Sequence, residues 1–352
     1  MLRPLTARAS IALACFVLLA AVAAVLRLMV GGDLGVLDDQ ARLAAMDLRL
    51  MRVLSAGAVG MALGAGGVML QALLRNPLAS PDILGPSSGA TLAVVLAAYI
   101  GTFVGAASGT GGAAVLTWQV GPALAGSFAA LALVYALSCR GRGLDPLSLV
   151  LVGVIVSIVC GAGVVLLTHL MQARGIVLPG TGAMLVGTIR DDTPRWIVIA
   201  AAAGVPLVIA LVALMGRQVD SAGLSDDEAT SVGVSLGRLR IVLFAGAGVL
   251  SAAAVVLAGP IGFVGLVAPH LVRLCVGGER GLGAGGPLGR CIGVGGIMLL
   301  ASALAGAALL ILADVGVRAL NLASGRLPIG VVTAILGGPL LVTLIRRPMN
   351  RG

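Results

Sequence analysis

Charged residues are scarce in this chain, making up 11% of it against about 25% in a typical soluble domain. Hydrophobic residues make up 59%, and the mean hydropathy is +1.13. A soluble fold of 352 residues needs far more polar surface than this, so the composition predicts an all-α membrane protein. No polar stretch is long enough to fold separately, which indicates one membrane domain over residues 1–352.

Lysine is absent, and with it any GxxxxGK[ST] phosphate-binding loop. All 23 basic residues are arginines between apolar stretches, a distribution that serves membrane topology and argues against a nucleic-acid partner despite the net charge of +9. The apolar stretches hold almost no ionisable residues: Arg27, His169 and Asp314 fall at their ends, and His270 is the exception. Ion-coupled transporters need such groups near the midplane, so the energy for any transport would come from outside this chain.

Patterns of catalysis and metal binding are missing as well. The five cysteines show no CxxC spacing, which favours small apolar side chains over a disulfide framework or a zinc site. HExxH is absent, and neither His169 nor His270 belongs to a hydrolase motif. The sequence therefore predicts no enzyme activity, no metal and no cofactor, and for His270 it leaves open a buried histidine with satisfied hydrogen bonds.

Ten apolar stretches are candidate membrane spans, since about 20 helical residues cross a hydrocarbon core of about 30 Å. The eighth candidate is short and broken by proline. The first could be a signal peptide, but nine further spans favour a retained anchor. Cytoplasmic termini place 14 arginines inside and 9 outside, the sign that the positive-inside rule expects. The predicted spans are residues 11–30, 53–74, 87–107, 113–138, 147–170, 195–215, 241–258, 262–277, 291–313 and 329–345.

Two connections stand out: the external segment Gly31–Arg52, which is polar and mixed in charge, and the cytoplasmic segment 217–240, the longest inside loop. The cytoplasmic segment predicts a short amphipathic helix that begins with the acidic residues 226–228, where the helix dipole favours negative charge, and ends at Gly233. Such a helix is either a plain connector or a docking site for a soluble partner.

Small residues recur at helical spacing inside the spans, which is typical of close helix packing but also suits the smooth wall of a solute pathway. They are Gly60 with Gly64, then Gly153, Ser157 and Gly161, then Ser302 with Gly306.

A different kind of signal comes from GPIGFVGLVAPHLVR, residues Gly259–Arg273. It places glycines, prolines, a histidine and an arginine at membrane depth. Backbone N–H and C=O groups that are not paired in a helix there need hydrogen-bond partners from protein or water, so the segment is predicted to line a cavity.

Four motifs in this chain resemble those of the FecCD-type permeases, the membrane subunits of ABC importers for iron–siderophores, haem and cobalamin. They occur in the family's order between about residues 47 and 347. The four are MLQALLRNPLASPDILGPSSGA from Met69, GLDPLSLVLVG from Gly143, GPIGFVGLVAPHLVRLCVG from Gly259 and LPIGVVTAILGGPLLVTLIRR from Leu327.

The resemblance implies the type II ABC importer permease fold, with about ten transmembrane helices per subunit and a central translocation pathway between two subunits. It also implies cytoplasmic ABC ATPase subunits, an extracytoplasmic substrate-binding protein and a second permease subunit, which is either identical or a sister protein. The location that follows is the cytoplasmic (inner) membrane of a bacterium.

Roles for individual residues are implied by the same resemblance. Arg49, Arg52 and Arg318 are expected to face acidic groups of the binding protein; solvated charges at helix ends are the plain alternative. Asp226, Asp227, Glu228, Ala229 and Gly233 are expected to couple to the ATPase. Candidates for the pathway and its gate are Asn76, Pro77, Asp145, Pro146, Gly153, Ser157, Gly161, Pro269 and His270.

The chain departs from the family pattern at three positions near the residues with implied roles. Met51 stands where the family has proline, Asp226 where it has glycine, and Arg326 where it has glutamate. The implied function is import of ferric siderophores by alternating access. Haem or cobalamin import is the alternative within the family, and an ion-coupled secondary transporter is the alternative outside it.

Overall fold

The chain is almost entirely helical in the part that the computed structural model describes: residues 3–30, 38–108, 120–140, 143–175, 186–191, 193–221, 226–231, 233–276, 287–319 and 327–346. The helices are α1 (Arg3–Met29), α2 (Asp39–Leu74), α3 (Pro86–Ser108), α4 (Val120–Ser138), α5 (Pro146–Gln172), α6 (Arg195–Leu214), α7 (Gly216–Ser221), α8 (Asp226–Ser231), α9 (Leu236–Ala258), α10 (Val264–Val276), α11 (Pro287–Ala319) and α12 (Ile329–Arg346). A 3-10 turn spans Pro81–Leu84, and strands β1 (Cys139–Arg140) and β2 (Gly143–Leu144) pair antiparallel between α4 and α5.

Seven of these helices are long and apolar enough to cross a membrane, namely α1, α2, α4, α5, α6, α9 and α11. Helices α3, α10 and α12 contribute shorter apolar stretches within the described residues. Each of the ten predicted spans coincides with one of these ten helices, which confirms the prediction of a ten-helix membrane fold. Residues 113–119 of the fourth predicted span lie outside the described residues.

Helix α2 is longer than the sequence suggested. It runs for 36 residues, or about 54 Å, and begins where the carboxylate of Asp38 accepts the backbone N–H of Ala41 at 3.0 Å. Residues 39–52 of the predicted external connection therefore belong to helix α2, a helical extension that the sequence did not predict. The helix cap at Asp38 explains the difference, because it starts the helix well before the apolar run.

Helices α2 and α11 form the centre of the bundle and cross at their small residues. A Cβ on Gly60 would lie 2.3 Å from the carbonyl oxygen of Gly306, and one on Gly64 would lie 2.2 Å from that of Ser302. No side chain fits in such contacts, so glycine is what lets the two backbones meet. For these two pairs, close packing is the interpretation that the structure confirms.

The chain re-enters the bundle after α2. Arg75 turns it with a left-handed backbone (φ 49°), and Pro81 then packs 3.3 Å from the Cβ position of Gly66, about 12 Å below the end of α2. This irregular backbone is tolerated at membrane depth because helices surround it. The turn also carries Asp82, whose Oδ2 lies 3.7 Å from the Cβ position of Gly262. Asp82 thus places an ionisable residue inside the bundle from a connection between two spans, although the spans themselves hold almost none.

Candidate functional site: the two charged ends of the bundle

Helices α1, α2 and α11 bring three charged residues together at one end of the bundle. The carboxylate of Asp314 is fully buried and accepts hydrogen bonds from Arg52, at 3.0 and 3.1 Å from Nε and 2.9 Å from Nη2. It also accepts a hydrogen bond from Nε of Arg27, whose side chain is fully buried too. One carboxylate therefore holds two guanidinium groups, so a buried positive charge is left to be balanced by other groups.

A second carboxylate carries this network to the surface. Asp191 lies just before α6, and its Oδ1 accepts a hydrogen bond of 2.5 Å from Nη1 of Arg52. Its Oδ2 lies 4.0 Å from Nη2 of Arg318, and 41% of its side chain is exposed. We call Arg27, Arg52, Arg318, Asp191 and Asp314 the arginine cluster; it holds one more positive than negative group.

The three arginines predicted to dock a binding protein all lie at this end, but they are not open side chains. Arg49 is 8% exposed and donates a hydrogen bond of 2.8 Å to the carbonyl of Leu28, and Arg52 is 5% exposed. Arg318, with 19% exposure, is the most accessible of them. Docking therefore stays a prediction, and it would require the Arg52 side chain to change partners.

Part of this network escaped the sequence analysis. Arg27 and Asp314 were noticed only as charges at span ends, and their pairing across 287 positions of sequence left no local signal. Asp191 stands in a connection with no motif around it, so nothing in the sequence marked it as a partner of Arg52.

The predicted acidic helix of the cytoplasmic segment is α8. It begins at Asp226, as expected, and the side chains of Asp226 and Asp227 lie outside the described residues. After the helix, Gly233 has φ +85° and donates its N–H to Thr230 at 3.0 Å, while Val234 donates to Ala229 at 3.1 Å. These two bonds form a Schellman motif, so the prediction that Gly233 ends the helix is confirmed.

The face of α8 is also defined at its centre. Ala229 is fully buried, whereas Glu228 is exposed. The helix therefore packs on the bundle through its small residue, with Glu228 on its exposed side. This arrangement suits a docking helix and a plain connector alike.

Helix α7, in the same segment, is joined to α11 by Asp220. Helix α11 is interrupted at Gly293 (φ 72°), which leaves backbone N–H groups without helical acceptors. Asp220 accepts the N–H of Val294 at 3.0 Å and that of Gly295 at 2.5 Å. The segment 217–240 is thereby fixed through Asp220 to the start of the long part of α11. Nothing in the sequence indicated this contact, because a single aspartate in a connection carries no motif.

Two of the gate candidates, Asn76 and Asp145, stabilise the turns in which they lie through side-chain hydrogen bonds. Asn76 Oδ1 accepts the N–H of Leu78 at 2.9 Å, next to the exposed Pro77. Asp145 caps α5 by accepting from the backbone N–H of Ser148 at 3.1 Å and from its hydroxyl at 2.5 Å, with Pro146 in the first turn. These contacts fix where the two turns lie; a role as a gate stays a prediction.

The small residues of α5 divide into two groups. A Cβ on Gly85 would lie 3.6 Å from the carbonyl of Gly153 and 3.5 Å from the hydroxyl of Ser157, so these two pack against the re-entrant turn. A Cβ on Gly161 would meet nothing within 4 Å. Within this subunit, only Gly161 of the three faces open space, so it keeps the stronger case as part of a pathway wall.

Much of the segment Gly259–Arg273 packs against neighbouring helices of the same subunit. Pro269 is buried and, lacking an N–H, leaves the Gly265 carbonyl without its helical donor; a Cβ on Gly67 of α2 would lie 2.0 Å from that oxygen. His270 is half-buried, with Nδ1 3.0 Å from the carbonyl of Leu266. The missing N–H at Pro269 thus also serves close contact with α2, and the predicted cavity lining stays a prediction.

The family model of the FecCD transport family matches residues 9–347. This chain belongs to the FecCD transport family. The match begins earlier than the motifs did, because it includes α1. The permease character of the family agrees with the helical architecture described above, and the fold is that of the type II ABC importer permeases.

Relatives of the FecCD permease described here come from different bacteria and are named for the transport of different compounds. The Hemin transport system permease protein HmuU of Yersinia pestis is 34% identical over 306 residues, covering 86% of this chain and 83% of the relative. The Vitamin B12 import system permease protein BtuC of Serratia proteamaculans is 34% identical over 316 residues, covering 88% and 83%. The Probable siderophore transport system permease protein YfhA of Bacillus subtilis is 34% identical over 311 residues, also covering 88% and 83%.

Among solved structures, an ABC transporter assigned to the metal-chelate type, in an inward-facing conformation, superposes with a TM-score of 0.75. It is 28% identical in sequence, and the match covers 96% of this chain and 99% of that chain. The chain is therefore a multi-span membrane permease of the ABC transporter class.

Proposed function

We propose that this FecCD permease is the membrane-spanning subunit of an ATP-driven importer that carries ferric siderophores across the inner membrane by alternating access. The observation that carries the proposal is the family match over residues 9–347, together with relatives named as permeases for hemin, vitamin B12 and siderophores. In this proposal the chain itself hydrolyses nothing, because ATP hydrolysis belongs to a separate subunit.

The proposed orientation places both termini in the cytoplasm, with α8 inside and the arginine cluster outside. The excess of arginines on the proposed cytoplasmic side supports it. We further propose a second permease subunit as a partner. The exposed apolar side chains of α5, such as Leu151, Ile155 and Ile158, suit contact with lipid or with that subunit.

Helix α11 supports a route for the mechanical work. It is 33 residues long, is tied to α7 through Asp220 near its start, and carries Asp314 of the arginine cluster towards its other end. We propose that cytoplasmic ABC ATPase subunits act on α8 and that the motion passes through α7 to α11. The bundle then rocks, and the turns at Asn76–Pro77 and Asp145–Pro146 open as the cytoplasmic gate.

On the outer side, we propose that a loaded substrate-binding protein docks on the face formed by Arg49, Arg52 and Arg318. The positive balance of the arginine cluster supports this, because guanidinium groups pair with carboxylates in a bidentate geometry. A permease that receives its cargo from a separate high-affinity protein does not need a tight site of its own.

The cargo is tested by uptake in cells that lack the gene for this chain and receive it back on a plasmid. We expect restored uptake of radiolabelled ferric siderophores. Haem or cobalamin uptake instead would favour those cargoes, for which the relatives of Yersinia pestis and Serratia proteamaculans are named. Restoration of none of the three would contradict the proposed function.

A further inference from the structure

The arginine cluster contains two carboxylates in very different surroundings. Asp314 is fully buried between α1, α2 and α11, where it binds both Arg27 and Arg52. Asp191 is 41% exposed and approaches Arg52 and Arg318 from the side of the surface. One carboxylate is thus part of the interior, whereas the other is in contact with solvent.

The guanidinium of Arg52 is divided between these two carboxylates. Its Nε and Nη2 bind Asp314, at 2.9–3.1 Å, and its Nη1 binds Asp191 at 2.5 Å. The contacts with Asp314 satisfy the Nε–Nη2 edge of the guanidinium group and fix its position. The outer contact joins the buried Arg52 to the partly exposed Asp191, so it is weakened by solvent that competes for the carboxylate.

Asp191 also spans two of the three arginines proposed for docking. Its Oδ1 binds Arg52, while its Oδ2 lies 4.0 Å from Arg318, a distance at which the attraction is mainly electrostatic. An acidic side chain of a docking protein that sought both arginines would have to occupy the place of this carboxylate.

We infer that Asp191 is an internal competitor that occupies Arg52 and Arg318 until a carboxylate of the substrate-binding protein displaces it. This inference rests on the proposed docking at the arginine face. Asp191 lowers the affinity for the partner, because each docking event must first break its contacts. It also satisfies the Nη1 group of Arg52 when nothing is docked, so less uncompensated positive charge is left at this end of the permease.

The test replaces the carboxylate by an amide of the same size, Asp191→Asn, in the full permease assembled with its ATPase in lipid nanodiscs. The probe is the purified, fluorescently labelled binding protein that supports uptake in cells, and its dissociation constant is measured at low and high salt. We expect Asp191→Asn to tighten binding about two- to five-fold at low salt, the scale of a weak ion pair with one partly exposed partner. Asp191→Glu, which keeps the charge, is expected to stay near the wild-type affinity.

Asp47→Asn is the matched control for net charge. Asp47 belongs to the outer half of α2 and pairs with the exposed Arg195, outside the arginine cluster. Its replacement adds the same charge to the same end of the molecule without touching the Arg52 contacts. Tightening by Asp191→Asn that clearly exceeds the effect of Asp47→Asn supports displacement of a competitor rather than a general electrostatic gain.

Arg318→Gln separates failure of this inference from failure of the docking proposal. If Arg318→Gln weakens binding but Asp191→Asn does not tighten it beyond Asp47→Asn, docking stands and the competitor role is wrong. If neither variant changes the affinity, docking at this face is itself contradicted. Loss of the folded protein in Asp191→Asn, seen as a large fall in its thermal unfolding midpoint, would show a structural role like that of Asp314 and would also overturn the inference.

Discussion

At the scale of single residues, Asp314 holds together the end of the bundle that carries the arginine cluster. Two guanidinium groups depend on this one buried carboxylate, and neither Arg27 nor the inner edge of Arg52 is in contact with bulk solvent. Breaking a buried ion pair by removing one partner is costly, because the other charge stays buried without compensation.

We therefore predict that Asp314→Asn destabilises the permease by about 3–5 kcal/mol. Asp47→Asn, which removes a carboxylate from the partly exposed pair with Arg195, should cost no more than about 1 kcal/mol. Thermal unfolding of both variants in the same detergent measures the difference. Equal midpoints for the two would show that the buried network contributes little to stability.

At the scale of elements, the glycines of α2 determine how closely the central helices pack. A methyl group on Gly60 would collide with the backbone of Gly306, so α2 and α11 would have to move apart. Gly161 on α5 offers a comparison, because the same methyl group would meet nothing within 4 Å.

Gly60→Ala is expected to lower stability by about 1–3 kcal/mol through overpacking. Gly161→Ala should leave it unchanged or raise it slightly, since alanine favours the helix. The two unfolding midpoints in detergent test this directly. A stable Gly60→Ala variant would mean that the contact between α2 and α11 is not as close as described.

The end of α8 is a second element with a clear requirement. Gly233 has a left-handed backbone that costs other residues about 1–2 kcal/mol, and it forms the Schellman motif that ends the helix. Gly233→Ala is predicted to reduce the amount of ATPase that co-purifies with the permease. Gly237→Ala, at a helical position with open space around it, is the control and should not reduce it. Unchanged co-purification with Gly233→Ala would remove α8 from the coupling proposal.

At the scale of the whole molecule, the sequence predicted what depends on local pattern. Apolar length located the ten membrane helices, dipole and glycine chemistry located α8, and small-residue spacing predicted close packing for α2 and α11 but not that they pack on each other. It could not predict that Asp191 meets Arg52 across 139 positions, because such pairing depends on how helices are arranged. It also missed the re-entrant turn at Pro81, whose position depends on the packing of Gly66 and Gly265.

Our central proposal is that this permease moves its cargo with energy supplied by a separate ATPase. The most direct measurement reconstitutes the permease in liposomes, with and without the ATPase and the binding protein, and follows uptake of labelled ferric siderophore. We predict accumulation only when both partners and ATP are present. Accumulation by the permease alone, driven by a proton or sodium gradient, would contradict the claim.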